Sequence, residues 1–180
     1  MKFSWAVLLV LVGLAVPRAS QAQVSVYGEF SASDFHNLVS RDFLYGATGG
    51  LLYDGPTIFH HVVVSADIQG RFVNGAGDTW NGITVGPRFT VPFKHFGRIA
   101  PYGEFLVGFA RFNGNQASYI ENGSGVTTDS TIQVNAGVSK PISPRFDVVA
   151  DYSYAQYYAY GGQYNPKTFS LGTIFHFTKR

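Results

Sequence analysis

In the stretch Phe146–Tyr154, Phe146, Val148, Ala150, Tyr152 and Tyr154 alternate with Asp147, Val149, Asp151 and Ser153. A period of two predicts a β-strand with one apolar and one polar face. Seven more segments carry strand-like patterning: residues 24–33, 43–53, 61–72, 82–93, 100–112, 130–139 and 168–177. With 146–158 they make eight predicted strands of 10 to 13 residues. Strands of soluble proteins usually run about 5–6 residues, whereas a tilted strand crossing a bilayer needs about 9–11.

Two faces follow from the alternation. The apolar face carries Val24, Val26, Phe30, Leu51, Ile68, Val85, Phe89, Phe105, Val107, Val134, Phe146, Val148 and Leu171, among others. The opposite face carries Glu29, Asp67, Arg71, Arg88, Glu104, Asp147 and Asp151, together with Ser25, Thr48, Gln133, Asn135 and His176. A sandwich with its apolar face inward would accept those charges on its outside. Two features favour the reverse. Glycines recur within the strands at Gly46, Gly50, Gly86, Gly108, Gly137 and Gly172, mostly on the polar face, as a narrow interior requires. Aromatics gather towards strand ends, at Tyr53, Phe72, Trp80, Phe93, Phe96, Tyr102, Phe112, Tyr157, Tyr158 and Phe177, as two interfacial girdles would. Backbone groups in lipid must be satisfied internally, so the sheet must close. The expected fold is an all-β, eight-stranded, antiparallel up-and-down transmembrane barrel.

The connections support that reading. Those carrying turn formers, YDGPTIFH, KHFGRI and KPISPR, alternate with looser polar ones. The looser set is DFHNLVSRD, VNGAGDTWN, NGNQASYIENGSGVTTD and AYGGQYNPK. Short turns on one side and longer loops on the other place both termini in the periplasm.

Composition sharpens the picture. Charged residues make up 13% of the chain, about half the usual share. The opening MKFSWAVLLVLVGLAVPRASQA has a basic start, a short apolar run and small residues Ser20 and Ala22 before Gln23. It reads as a signal peptide over residues 1–22, cleaved after Ala22, ahead of an outer-membrane barrel domain at 23–180. Removing Lys2 and Arg18 leaves 11 basic residues against 11 acidic ones. A neutral mature chain argues against a nucleic-acid partner. With no cysteine, disulfides, thiol chemistry and a lipidated N-terminus are excluded.

The chain resembles the eight-stranded outer-membrane β-barrel family, the group related to the OmpA transmembrane domain and to OmpX. The carriers are QVSVYGEFSAS, PYGEFLVGFARF, SPRFDVVADYSY and the closing FSLGTIFHF. The resemblance implies a monomer inserted into the bacterial outer membrane by its assembly machinery, which commonly recognises a terminal aromatic. Phe177 takes that part here, followed by Thr178, Lys179 and Arg180. OmpA also carries a peptidoglycan-binding domain. This sequence stops at the last strand, so no such tether is expected.

An eight-stranded barrel has an interior just wide enough to be filled by side chains, which argues against a diffusion pore. The inward charges Glu29, Asp67, Glu104, Asp147 and Asp151 against Arg71 and Arg88 predict a buried network with each arginine bracketed by acids. The excess of acids implies protonated carboxyls, bound water or an attracted cation. Arg41, Arg111 and Lys167, near the outer strand ends, are candidate contacts for lipopolysaccharide phosphates. The third long connection, Asn113 to Asp129, is the candidate for outside contacts; its Asn122-Gly123-Ser124 sequon carries no weight in a bacterial envelope.

No catalytic, metal or cofactor residues are expected. A lipid A deacylase of the PagL type needs a His–Ser pair with a carboxylate near the lipid face. None of His36, His60, His61, His95 and His176 begins an His-x-Ser, and His36 with Asp34 and Ser40 is a loose grouping. His60 and His61 point to opposite faces and make a poor metal pair. The expected role is structural or adhesive, through the outer loops. The alternatives are a narrow conduit or binding site for a small solute or apolar molecule, and a lipid A-modifying enzyme.

Overall fold

The computed structural model describes residues 23–36, 41–58, 61–75, 77–93, 98–113, 126–159 and 162–178. The expected signal peptide therefore lies outside the described residues. So do His60, His95, Phe96, the sequon and residues 114–125, together with the side chains of His36 and Arg41.

The described residues form nine strands: β1 (Gln23–His36), β2 (Arg41–Ile58), β3 (Val62–Gly75), β4 (Asp78–Thr90), β5 (Ala100–Asn113), β6 (Val126–Pro141), β7 (Phe146–Ala159), β8 (Gly162–Tyr164) and β9 (Lys167–His176). Neighbours in sequence pair antiparallel from β1 to β7. The short β8 and the longer β9 both pair with β7 and make one stave, broken at Asn165 and Pro166. The break keeps a ladder bond, because Ala155 N donates to Pro166 O. β9 then pairs with β1, so eight staves close on themselves.

The two faces are inverted relative to a soluble protein. Phe30, Phe72, Ile83, Phe109 and Phe169 are each more than half exposed, and the apolar set predicted to face outward contains no buried residue. The seven expected interior charges are all buried. Water would make so large an apolar exterior costly, and lipid removes that cost.

Some details differ from expectation. Trp80, Tyr102, Phe112 and Tyr157 do not join the girdles; all four are buried inside the barrel. Each shares the parity of an inward polar residue on its own strand: Trp80 with Arg88, Tyr102 and Phe112 with Glu104, Tyr157 with Asp147. Phe35, Phe112 and Tyr164 stack there, with Phe35 and Phe112 centroids 4.9 Å apart and 6° from parallel. With Leu44, Val73, Trp80, Ala110 and Tyr157 they form an apolar plug in the outer end of the lumen.

The alternation of short turns and long outer loops does not hold either. β1 and β2 pair up to His36 and Arg41, and β3 and β4 pair up to Gly75 and Asp78. Only 37–40 and 76–77 separate these pairs. The outer link to β8 is likewise two residues, 160–161. The strand alternation runs past the polar residues that read as loop, because ladder bonds accept polar side chains on exposed strand ends. At the other end, Gly55 and Pro56 of the expected YDGPTIFH turn fall in a register shift between Asp54 and Thr57 inside β2.

Candidate functional site: the filled lumen

Inward positions repeat at every second residue, so each strand supplies a column of side chains to the lumen. Near mid-height the Arg88 guanidinium lies 3.4 Å above the centre of the Tyr102 ring, and its Nη1 is 3.4 Å from Glu104 Oε1. Tyr102 donates its hydroxyl to Asp151 at 3.2 Å. Glu104 also accepts from Asn135 Nδ2. Gln133 Nε2 donates to Asn135 Oδ1 at 2.8 Å and to Gln69 Oε1 at 2.7 Å. Gln69 Nε2 donates to the Tyr27 hydroxyl at 3.1 Å, and Tyr27 donates to both carboxylate oxygens of Asp67. This is one connected network spanning the barrel, the arrangement that makes buried polar groups tolerable.

The two arginines are held differently. Arg88 has its ion pair with Glu104. Arg71 instead donates to hydroxyls, Nε to Thr48 at 3.0 Å and Nη1 to Ser153 at 2.9 Å, with Gln69 Oε1 at 3.4 Å from Nη2. Trp80 covers it at 5.7 Å. Glu29 and Asp151 sit beside each other. Arg88 is thus ion-paired to one acid, Glu104, whereas Arg71 is bonded to hydroxyls with Glu29 and Asp151 close by. A guanidinium has five donors, and small hydroxyls fit the narrow lumen better than further carboxylates.

Two tyrosines fill space left by glycines. Tyr27 faces Gly50 across β1–β2, and Tyr102 faces Gly137 across β5–β6. A Cβ on either glycine would overlap the ring. Cβ atoms at Gly46, Gly86, Gly108 and Gly172 would collide with the backbone of the neighbouring strand.

Alternation also hid a constellation at the end bearing the termini. Ser25 Oγ lies 2.7 Å from His176 Nδ1, and His176 Nε2 lies 3.1 Å from Asp147 Oδ2. Ser25 and His176 are direct partners across the β1–β9 seam. The seam continues inward with Ser31–Ser170 at 3.1 Å and Ser33–Thr168 at 2.7 Å. The residue types are those of a hydrolytic triad. Each is almost wholly buried, however, and the adjoining cavity of about 20 Å³ has room for about one water. An acyl chain has no access to Ser25. The trio ties the first and last strands to β7.

Of the expected outer-rim cations, Arg111 on β5 and Lys167 on β9 are exposed and separated by the staves between them, so they form no single cluster. Arg41 is placed at the tip of β2, in register with His36.

No family model matches the chain, and no curated protein matches it. Solved structures do. Neisserial surface protein A, NspA, superposes with a TM-score of 0.60 at 12% identity, over 87% of this chain and 99% of that one. Ail, the attachment invasion locus protein of Yersinia pestis, superposes at 0.57 with 15% identity, over 87% of this chain and 99% of that one. The outer membrane enzyme PagL superposes at 0.51 with 17% identity, over 84% and 98%. Those likenesses and the closed antiparallel sheet agree: the chain has the fold of the eight-stranded outer-membrane β-barrels.

Proposed function

We propose that the protein is an exported integral barrel of the bacterial outer membrane with a structural or adhesive role, made through its outer rim and not through its lumen. The observation that carries this reading is a packed, hydrogen-bonded lumen inside an apolar jacket. The jacket suits hydrocarbon, and the filled lumen leaves a solute no path. The fold is shared with an attachment protein and with an enzyme, so the fold alone does not choose between those roles. The burial of Ser25 speaks against the enzyme. Adhesion falls to the β5–β6 connection at 114–125, the one outer link longer than four residues. In this reading Arg41, Arg111 and Lys167 meet lipopolysaccharide phosphates around the same rim.

The test pairs two measurements. The purified protein in planar bilayers should give no steady single-channel steps; such steps would make it a conduit. Cells carrying a version shortened across 115–124 should lose surface attachment while the barrel keeps its heat-modifiable gel mobility. Unchanged attachment leaves the structural role and removes the adhesive one.

A further inference from the structure

The end of the barrel bearing the termini has a charge pattern that the filled lumen does not use. Arg98 lies in the connection between β4 and β5, and Lys140 and Arg145 flank the turn between β6 and β7; all three are exposed. Arg98 lies two residues before Ala100, which pairs with Ser139 beside Lys140, and Arg145 closes the same β6–β7 turn as Lys140, its carbonyl accepting from His176 N at the edge of β9. No described residue gives any of the three an acidic partner. The acids at this end turn inward: Asp147 contacts His176, and Asp54 accepts from Ser65 Oγ at 2.8 Å. The opposite end mixes Arg111 and Lys167 with Asp34, Asp78 and Asp129.

An exposed apolar shelf adjoins Lys140 and Arg145. Ile142 is 63% exposed, Phe177 57% and Phe146 44%. Phe175 bridges the two phenylalanines, 5.1 Å from Phe146 and 5.3 Å from Phe177 between ring centroids. The shelf is continuous with the lipid-facing band through Val138 and Val148. Cations bordering aromatic and aliphatic side chains at the edge of an apolar band match a phospholipid in two places. The phosphate meets the cations, and the upper acyl chain lies on the shelf.

We infer that the arc of Arg98, Lys140 and Arg145 over Ile142, Phe146 and Phe177 binds an anionic phospholipid of the leaflet at the termini end, the periplasmic one. This rests on the membrane reading proposed above. Positive charge without an acidic partner among the described residues selects the anionic headgroup, and the shelf selects a lipid over a soluble phosphate. The interaction lies at the opposite rim from the lipopolysaccharide contacts.

The experiment is native mass spectrometry of the mature protein released from micelles containing equal amounts of phosphatidylglycerol and phosphatidylcholine, with lipid A in a parallel arm. The comparison is a variant carrying Arg98→Gly, Lys140→Gln and Arg145→Gln. Arg98 has a φ of 60°, so glycine removes its charge while suiting the left-handed turn. The wild type should retain phosphatidylglycerol roughly tenfold or more over phosphatidylcholine, and the variant should retain both alike. Equal retention by the wild type, or the same preference in the variant, overturns the inference. A variant that loses lipid A and keeps phosphatidylglycerol also overturns it, by assigning the arc to the other leaflet. Heat-modifiable mobility in phosphatidylcholine vesicles separates the two levels. A wild type that fails to insert sinks the membrane reading with it, while insertion without lipid preference sinks the arc alone.

Discussion

Tyr102 lies across Gly137, its cross-strand partner, with the Arg88 guanidinium on the ring at 3.4 Å and its hydroxyl donated to Asp151. The glycine is what lets a tyrosine lie down inside a lumen this narrow. The ring then carries a cation on its face and a carboxyl group at its tip, so one residue joins β4, β5 and β7. Tyr27 over Gly50 repeats the device, with Asp67 at the tip.

Gly137→Ala should therefore displace Tyr102 and press on the Ala150 carbonyl of the neighbouring strand. The new methyl displaces the ring, lengthening both the stack with Arg88 and the bond to Asp151. Overpacking of this kind costs about 1–3 kcal/mol. Trp80 is the one tryptophan in residues 23–180, and its buried position makes its fluorescence a direct monitor of urea unfolding in vesicles. An unchanged midpoint would mean that the ring is not held as described.

Arg88→Met removes the ion-pair partner of Glu104 and the cation over Tyr102. Leaving a buried carboxylate without its partner costs about 3–5 kcal/mol. In Arg88→Met with Glu104→Gln the uncompensated charge is gone, and the Asn135 bond can persist to the amide oxygen. The double variant should recover most of the loss, read as unfolding temperature on boiled and unboiled gels. Additive damage in the double variant would show that the two side chains do not act as a pair.

The sequence carried the interior charges clearly, because a charge every second residue opposite an apolar row has few explanations once strands exceed soluble length. Glu29, Arg88 and Asp147 are where alternation puts them. Trp80, Phe112 and Tyr157 were misplaced for the same reason in reverse. Near a strand end an aromatic suits either an interface girdle or a lumen plug, and composition favours the girdle; counting parity from Arg88, Glu104 and Asp147 places them inward. The Ser25–His176–Asp147 trio was not legible. It depends on the stagger with which β1 meets β9, a closure register that no local pattern encodes. Short outer connections were equally hidden, since polar residues on strand tips look like loop.

Val107 sits outward in the middle of β5, opposite Val85 on one side and Ile132 on the other. Val107→Arg should cost about 2–4 kcal/mol of vesicle stability if hydrocarbon surrounds it. Phe93→Arg, close to the rim, should cost about 0–1 kcal/mol. The depth dependence is the diagnostic. Equal small costs at both positions would mean that water, and not lipid, bathes the exterior.

The seam trio separates structure from catalysis. Ser25→Ala removes one hydrogen bond to His176 and should cost about 1 kcal/mol. His176→Ala removes the contacts to both Ser25 and Asp147, opens a void at the junction of β1, β7 and β9, and should cost about 2–4 kcal/mol. These losses should appear as faster unfolding from vesicles, because the seam joins the two strands farthest apart in sequence and its contacts form late. Lipid A from cells carrying either variant should match that from wild-type cells, since neither side chain reaches the lipid face. A change in lipid A acylation with Ser25→Ala and no change in unfolding rate would reverse the argument. It would turn a buried tie into an active site that opens.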